Sequence, residues 1–472
     1  MGSSDGPLVV GLDSSTQSCK AIAWSRDGRA VAEGRAPLEL MKPRPEYVEQ
    51  EVTDWWRAAT VALRQLVGAV DAKRIAGIAI SNQRETDRFA AEIGRERLHA
   101  ITGKPIDVTP VVYRLKWLRE NEPKRLDHAK KILDVHGYLT LKLTGTPSAS
   151  WTSADPFGLF DISRKTWSQL VLDHLGIRPS QLPNAVRSGA RVGAVHAAAA
   201  AATGLAEGTP VIAAGGDGQC AGLGVNAMRD GVVYLNLGTA IIAGIWSREP
   251  VVGAFWRTMT SPTGDGYFLE AVQRAGVYFV NWFVDMFAGG RSDPAIFDRL
   301  EREAAAVPIG SDGLLAGTTL VGCMDPHWDP SARASFIGMH PSHTLGHFYR
   351  AGLEAMTLQT ARALEEMRSH GLSPAQMVAI GGGANSKLWT KMIADATGIS
   401  IHKGHNAEAS SLGAAISAAV GIGWFESFAE AADAMTSIAE TIEPDPRSRE
   451  AWDALSARQA KVFPATQFAW RN

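Results

Sequence analysis

Cysteine is scarce in this 472-residue chain: Cys19, Cys220 and Cys323 are the only three, far apart and without a CxxC spacing. That excludes a disulfide framework and a thiolate-built zinc or redox centre, and it predicts reduced thiols in the core. An excess of one charge is lacking too. With 47 Lys and Arg against 49 Asp and Glu the net charge is -2, so no field gathers nucleic acid or anionic lipid, and small molecules are the expected partners. No apolar run reaches the ~18 residues of a membrane span. The opening MGSSDGP has no Lys or Arg and no apolar core, so no signal peptide is expected and the predicted location is cytoplasmic. The length excludes a single core and predicts two or three domains at ~150 residues each.

What is present concentrates between Pro210 and Ala240. The apolar run Pro210 to Ala214 reads as a buried strand that ends in Gly215-Gly216 before a carboxylate, Asp217. Glycines on both sides, Gly216 and Gly218, let a ligand approach the backbone, and Gln219 adds an amide, so Asp217 is placed as a general base. A plain core strand followed by a helix cap at Asp217 fits the same residues. A dinucleotide fingerprint, Gly216-x-Gly218-x-x-x-Gly222, is the third reading. It needs an acidic residue at the end of the next strand, where Gly231 to Leu237 offers Asn236 and Leu237. That second strand ends in Gly238-Thr239, whose backbone N–H groups and hydroxyl can hold a phosphate oxygen.

The same pattern occurs near the N-terminus. Leu8 to Leu12 reads as a strand that turns through Asp13-Ser14-Ser15-Thr16 and returns from Lys20 to Ser25. The turn can cradle phosphates, and Asp13 can hold a magnesium ion. Leu12 to Thr16 matches Leu235 to Thr239 in spacing, and each is followed by an apolar strand ending in Trp-Ser, at Trp24-Ser25 and Trp246-Ser247. The chain therefore reads as one unit present twice. Each copy continues with a third strand, at Ala30 to Ala36 and at Tyr267 to Ala271, and then alternates helices and strands. Helix Thr53 to Val67, capped at Thr53 and stopped before Gly68, precedes strand Gly77 to Ser81. Helix Leu345 to Ser369 precedes strand Gln376 to Ile380, helix Ser386 to Thr397, strand Ile399 to His402 and helix Glu408 to Val420. Two mixed sheets flanked by helices, with ligands in the cleft between them, is the predicted architecture.

Strand Gln376 to Ile380 empties into Gly381-Gly382-Gly383-Ala384-Asn385-Ser386, a turn flat enough to face a nucleotide base and capped by Asn385 or Ser386; a turn needed only for strand-to-helix geometry fits equally. His343 and His347 stand four apart, but no Asp or Glu completes a metal set in that run. The alanine run Ala194 to Ala202 reads as an exposed helix without chemistry.

With Asp13-Ser-Ser-Thr16, Asn82-Gln-Arg-Glu-Thr86, Gly215-Gly-Asp217, Gly238-Thr239 and Gly381-Gly-Gly-Ala-Asn385 in this order, nearly the whole chain resembles the FGGY family of carbohydrate kinases. The resemblance implies an α/β fold of two ribonuclease-H-like domains of the actin and hexokinase superfamily with a central cleft, here 1–223 for the sugar and 224–472 for the nucleotide. It implies ATP and Mg2+, with Asp217 as the base toward a primary hydroxyl, and with Asp13 and Asp217 placing the metal. Ser15, Thr16, Gly238 and Thr239 would flank the phosphates, and Gly382, Gly383, Ala384 and Asn385 would border the adenine. Gln83, Arg84, Glu85 and Gln219 would hold the hydroxyls of a small sugar or polyol. Phosphoryl transfer asks for this kind of positioning and charge neutralisation.

Within the family, SADPFGLFDISRKTW from Ser153 and DPHWDPSARASFIGM from Asp325 resemble xylulose kinases, whereas Asn82 to Thr86 resembles glycerol kinases, so a ketopentose such as xylulose leads and a polyol is the alternative. Arg114 stands where the family signature expects Lys. After Thr86 the family continues into a hairpin partner with a Trp-x-Asp-like motif, but here Asp87 runs at once into Arg88 to Glu92, a helical pattern. A true deletion would open a sheet edge beside the sugar, which favours a segment that the protein has and this sequence lacks. An actin-like ATPase would share the fold without an acceptor hydroxyl, and a sugar-sensing regulator would need a DNA-binding segment for which no basic face is seen. A homodimer stays open.

Overall fold

The computed structural model describes residues 6–44, 47–82, 93–105, 110–293, 295–406 and 408–470. The apolar runs become strands covered on both faces, which is why they lack strict polar alternation. In the first half these are β1 (Leu8–Ser14), β2 (Ser18–Trp24), β3 (Ala30–Pro37), β4 (Ile75–Asn82), β5 (Arg191–Ala194) and β6 (Pro210–Gly216), in the sheet order β5-β6-β4-β1-β2-β3. In the second half they are β7 (Val232–Leu237), β8 (Ile241–Ser247), β9 (Arg257–Thr260), β10 (Tyr267–Gln273), β11 (Gln376–Ile380), β12 (Ser400–Gly404) and β13 (Ile438–Ile442), in the order β9-β10-β8-β7-β11-β12-β13.

Without the edge strands, both sheets follow one plan. β3-β2-β1-β4-β6 and β10-β8-β7-β11-β12 have the same order, antiparallel through the first three strands and parallel through the last three. The repeat read from Asp13 and Asn236 is thus a duplicated α/β domain. β4 lies inside the first sheet, between β1 and β6, so the less favoured alternative, a deletion that leaves Gly77 to Ser81 at a sheet edge, is not what the sheet shows: all five shared strands are present. Residues 83–92, where the missing hairpin partner was sought, lie outside the described residues.

The helices used below are α1 (Val52–Ala69), α2 (Val135–Thr144), α3 (Asp217–Gly224), α4 (Val277–Phe287), α5 (Leu345–Ser369), α6 (Lys387–Thr397), α7 (Ala409–Gly421) and α8 (Phe428–Met435). α1 is longer than its sequence signals. Glu51, not Thr53, stands at its cap, without a side-chain hydrogen bond, and the helix runs through Gly68. Ala58, Ala62, Leu63 and Leu66 are buried with residues of β1 and β2, and that packing outweighs one unfavourable glycine.

Two helices cross between the halves. α7 belongs to the second half of the chain, yet Leu412, Ile416 and Ala419 share a core with Val9, Ala79 and Ile212 of the first sheet, joined by Phe428 and Met435 of α8. In the other direction Ala221 of α3 packs with Tyr234, Phe268 and Ile380. The crossing is backbone on backbone: a methyl at Gly413 would overlap the carbonyl oxygen of Cys220, and one at Gly224 that of Ala409. A second bridge runs along β9. Buried Asp155 accepts from the Thr260 hydroxyl at 2.7 Å, and the Lys104 ammonium donates to the Thr258 carbonyl at 2.9 Å while lying 3.4 Å from Asp155.

Candidate active site

The parallel strands β1, β4 and β6 end on one edge of the first sheet, the edge at which open α/β sheets bind ligands. Asp13 is still within β1, opposite Lys20 in β2 and Ser81 in β4. Its Oδ1 is sealed from solvent without a hydrogen-bond partner. Burial, and then the Asp217 carboxylate, push the Asp13 carboxyl up to about 6, while Lys20 works the other way. The two carboxylates read from the sequence therefore stand at the same sheet edge, on either side of β4 and within electrostatic reach of each other. A buried, unpartnered carboxylate oxygen beside a second carboxylate suits a hard divalent cation, so the residues fit magnesium.

Asp217 is the first residue of α3, just past β6, and its Oδ1 accepts the Gly218 N–H at 2.8 Å. The helix-cap reading is corrected: Gly216 occupies the cap position, without a side-chain cap hydrogen bond, and Asp217 is the first helical residue, so its carboxylate sits in the first turn, where a negative charge is favoured. Ser410 of α7 donates its hydroxyl to the Asp217 carbonyl at 3.1 Å. Gln219 is fully buried; Nε2 reaches the Thr152 carbonyl at 3.3 Å, and Oε1 has no partner. Ser15 closes the turn, its N–H and hydroxyl both donating to the Ser18 carbonyl at 3.0 and 2.9 Å, and leaves Thr16 exposed at the tip.

Two charged residues escaped sequence reading. Lys20 pairs with Glu408, the residue that caps α7, and Arg35 reaches Glu408 at 3.8 Å. The hairpin register, which sets Lys20 opposite Asp13, was the available signal. Glu408 arrives from the far half of the chain and had none. Gln83, Arg84 and Glu85 lie outside the described residues. The strand end that leads to them is firmly held: buried Asn82 donates to Asp134 Oδ2 at 3.1 Å and accepts from the Ser153 hydroxyl at 2.9 Å. Asp134 caps α2 through the Gly137 N–H at 2.7 Å, and burial pushes its carboxyl up to about 7.

The second sheet supplies the other wall. At the end of β7 the Gly238 and Thr239 carbonyls accept from the N–H groups of Val277 and Gly276, at 2.8 Å each, and Thr239 is exposed. At the end of β11, Gly381 has φ +85°, and Asn236 and Leu237 leave no room for a side chain there. Gly382 and Asn385 are exposed, whereas Gly383 and Ala384 are buried behind them. Ser386, one of the two caps considered, accepts from the Trp389 N–H at 3.0 Å and starts α6. Of the four residues expected to border a base, two offer surface and two shape the turn.

His347 places Nε2 3.1 Å from Asp312 Oδ2, and its Nδ1 lies 3.1 Å from the Thr344 N–H that it caps. Among the described residues no group of three His, Cys, Asp or Glu is arranged to hold a metal, and no helix is long and apolar enough to cross a membrane.

This geometry can be set beside known proteins. The model of the FGGY family of carbohydrate kinases matches through its N-terminal domain at residues 8–90 and 86–224 and through its C-terminal domain at residues 233–422. The chain belongs to the FGGY family of carbohydrate kinases. It is accordingly a sugar kinase, with ATP as the phosphoryl donor that the family uses. The N-terminal match is in two parts that overlap at residues 86–90. The xylulose kinase of Bacillus subtilis is 29% identical over 488 residues, covering 97% of each chain. The L-xylulose/3-keto-L-gulonate kinase of Escherichia coli is 26% identical over 502 residues, again with 97% of each covered. The crystal structure of xylulose kinase from Rhodospirillum rubrum superposes with a TM-score of 0.89 at 26% identity, covering 98% of this chain and 100% of that one.

Proposed function

We propose that this kinase transfers the γ-phosphoryl group of ATP to a primary hydroxyl of a ketopentose such as xylulose, with Asp217 as general base. The observation that carries the reading is that Asp13, in β1, and Asp217, just past the end of β6, stand at the same edge of one parallel set of strands, with β4 between them. In this reading the first lobe, 1–223, holds the sugar and the second, 224–472, the nucleotide. Asp13 and Asp217 hold Mg2+, which when bound neutralises phosphate charge. Asp217 accepts the hydroxyl proton as the oxygen attacks, and the Gly218 N–H keeps the carboxylate aimed. Thr16 and Ser15 on one wall and the Gly238–Thr239 turn on the other flank the phosphates. Gly382 and Asn385 face the base, with Gly383 and Ala384 behind. Gln83, Arg84, Glu85 and Gln219 take the sugar hydroxyls, since an arginine fork with carboxylate and amide acceptors reads a run of hydroxyls on an open chain. No nucleic acid and no membrane enters the reaction; a homodimer and a cytoplasmic location are compatible with it.

The xylulose-kinase names of the full-length relatives favour a ketopentose, and the glycerol-kinase-like run Asn82 to Thr86 keeps a polyol as the second reading. ADP release measured across a panel of ketopentoses, gluconate-type acids and glycerol decides between them. ADP release that is independent of every acceptor would sink both. In the same assay Asp217→Asn is expected to lower kcat roughly 10²–10⁴-fold with little change in the KM for ATP; wild-type turnover would remove Asp217 as the base.

A further inference from the structure

The second lobe has a partly open cavity of about 220 Å³ that shares no lining residue with the catalytic strand ends. It lies between α5, the run from Thr318 to Ser335 and the C-terminal helices, and has room for roughly seven waters at about 30 Å³ each. His327 and Phe463, stacked 3.7 Å apart, close one side.

Three donors in its lining lack a partner. Arg362 of α5 has its Nη1 buried without a hydrogen-bond partner, and the Ser335 hydroxyl and the Trp470 indole N–H, both also in the lining, are buried and equally unpartnered. Three donor groups thus meet in one space with nothing to donate to. A buried guanidinium left in that state is costly, and native structures rarely leave it so without a ligand. The carboxylate that acts most strongly on Arg362 is Asp325, which is not in the lining; its Oδ1 accepts from Gln359 at 2.6 Å, and its Oδ2, though unpartnered, makes no hydrogen bond to Arg362. Burial also pushes the Asp325 carboxyl up to about 7, which weakens it as a counter-ion.

We propose that this cavity is a second small-molecule site, distinct from the catalytic cleft, that binds an oxyanion through Arg362, Ser335 and Trp470. The chemistry required is a compact group rich in acceptors: a phosphate monoester or a carboxylate on a small metabolite. Arg362 supplies the charge and the planar fork that match either, and Ser335 and Trp470 supply two further N–H or O–H donors.

The test uses the full chain saturated with a non-hydrolysable ATP analogue, so that the phosphate position in the cleft is filled. Inorganic phosphate and, separately, acetate are titrated calorimetrically. Wild type is expected to take up one equivalent of one of them, phosphate if the natural ligand is a phosphate ester and acetate if it is a carboxylate. Arg362→Met should weaken binding roughly tenfold or more and Ser335→Ala several-fold. Because Arg362→Met removes a largely buried charge whose Nη1 has no hydrogen-bond partner, its melting temperature without anion should be no lower than that of wild type. Should that variant not fold, Ser335→Ala and Trp470→Phe read the same site. Binding of neither anion to wild type, or equal binding to wild type and variants, overturns the proposal.

Discussion

The hydroxyl of Ser410 donates to the main-chain carbonyl of Asp217 at 3.1 Å, so the first turn of a helix from the second half of the chain touches the proposed catalytic residue of the first. Lys20 and Glu408 form an ion pair two residues away on the same segment. Whatever moves α7 therefore moves the surroundings of Asp217. Ser410→Ala removes one neutral hydrogen bond, about 1 kcal/mol. The expected result is a kcat lowered roughly fivefold, with the KM for ATP and the melting temperature nearly unchanged. Steady-state kinetics with saturating acceptor check this, and an unchanged kcat would mean that Asp217 is placed by α3 alone.

The duplication, the succession of strands and helices along the chain and the place of Asp217 at a strand end were legible because they rest on local signals: apolar runs, glycine at strand ends, and a spacing repeated from Leu12 to Thr16 and from Leu235 to Thr239. The crossing of α3 and α7 was not, since the reason for it lies in what meets across some 190 residues of chain, with Gly413 against Cys220 and Gly224 against Ala409. A glycine inside a helix reads from sequence as a weakness, not as a contact. The same holds for Glu408, whose partner Lys20 belongs to the other half of the chain, and for Ala384, whose burial depends on Leu237 and the core behind it. The site's outline was local, and its supporting contacts were tertiary.

Gly413→Ala tests the crossing directly. The added methyl meets a backbone carbonyl, which cannot rotate away as a side chain can, so the helices must separate. A destabilisation of about 1–3 kcal/mol is expected, together with loss of activity, because α7 carries Ser410 and Glu408. Gly68→Ala in α1, where an added methyl meets nothing within 4 Å, serves as a control for helix propensity. Urea denaturation of both variants measures the difference. A Gly413→Ala variant as stable as wild type would show that the helices have slack.

Gln219 gives a different kind of test. It is fully buried, its one hydrogen bond is long at 3.3 Å, and Oε1 is unpartnered. An amide held only for structure would be expected to satisfy its oxygen. If that oxygen accepts a sugar hydroxyl, Gln219→Leu keeps the volume and raises the KM for the acceptor roughly tenfold, leaving the KM for ATP unchanged and the melting temperature no lower. A lower melting temperature with an unchanged acceptor KM would assign Gln219 to the core instead.

Two residues apart at the start of α2, Asp134 and His136 should pull the pH dependence of stability in opposite directions. His136 is fully buried, with its Nδ1 3.2 Å from the Ser148 carbonyl, and burial lowers its pKa to about 4. The unfolded imidazole titrates near 6.5. A depressed folded value means stability that is present above about 6.5 and lost as pH falls toward 4, amounting to about 2 kcal/mol between pH 7 and pH 5. Asp134 is the reverse case. Its carboxyl is pushed up to about 7 in the folded protein against an unfolded value near 3.9, so the folded state holds its proton more tightly and gains about 2 kcal/mol over the same interval. Because the two effects offset each other, the wild-type profile alone is uninformative, and variants must be compared with wild type at each pH. The stability advantage of wild type over His136→Gln should shrink by about 2 kcal/mol between pH 7 and pH 5, whereas its advantage over Asp134→Asn should grow by a similar amount. Denaturant midpoints at the two pH values give both differences. Parallel shifts of the two variants would show that neither group titrates apart from its unfolded value.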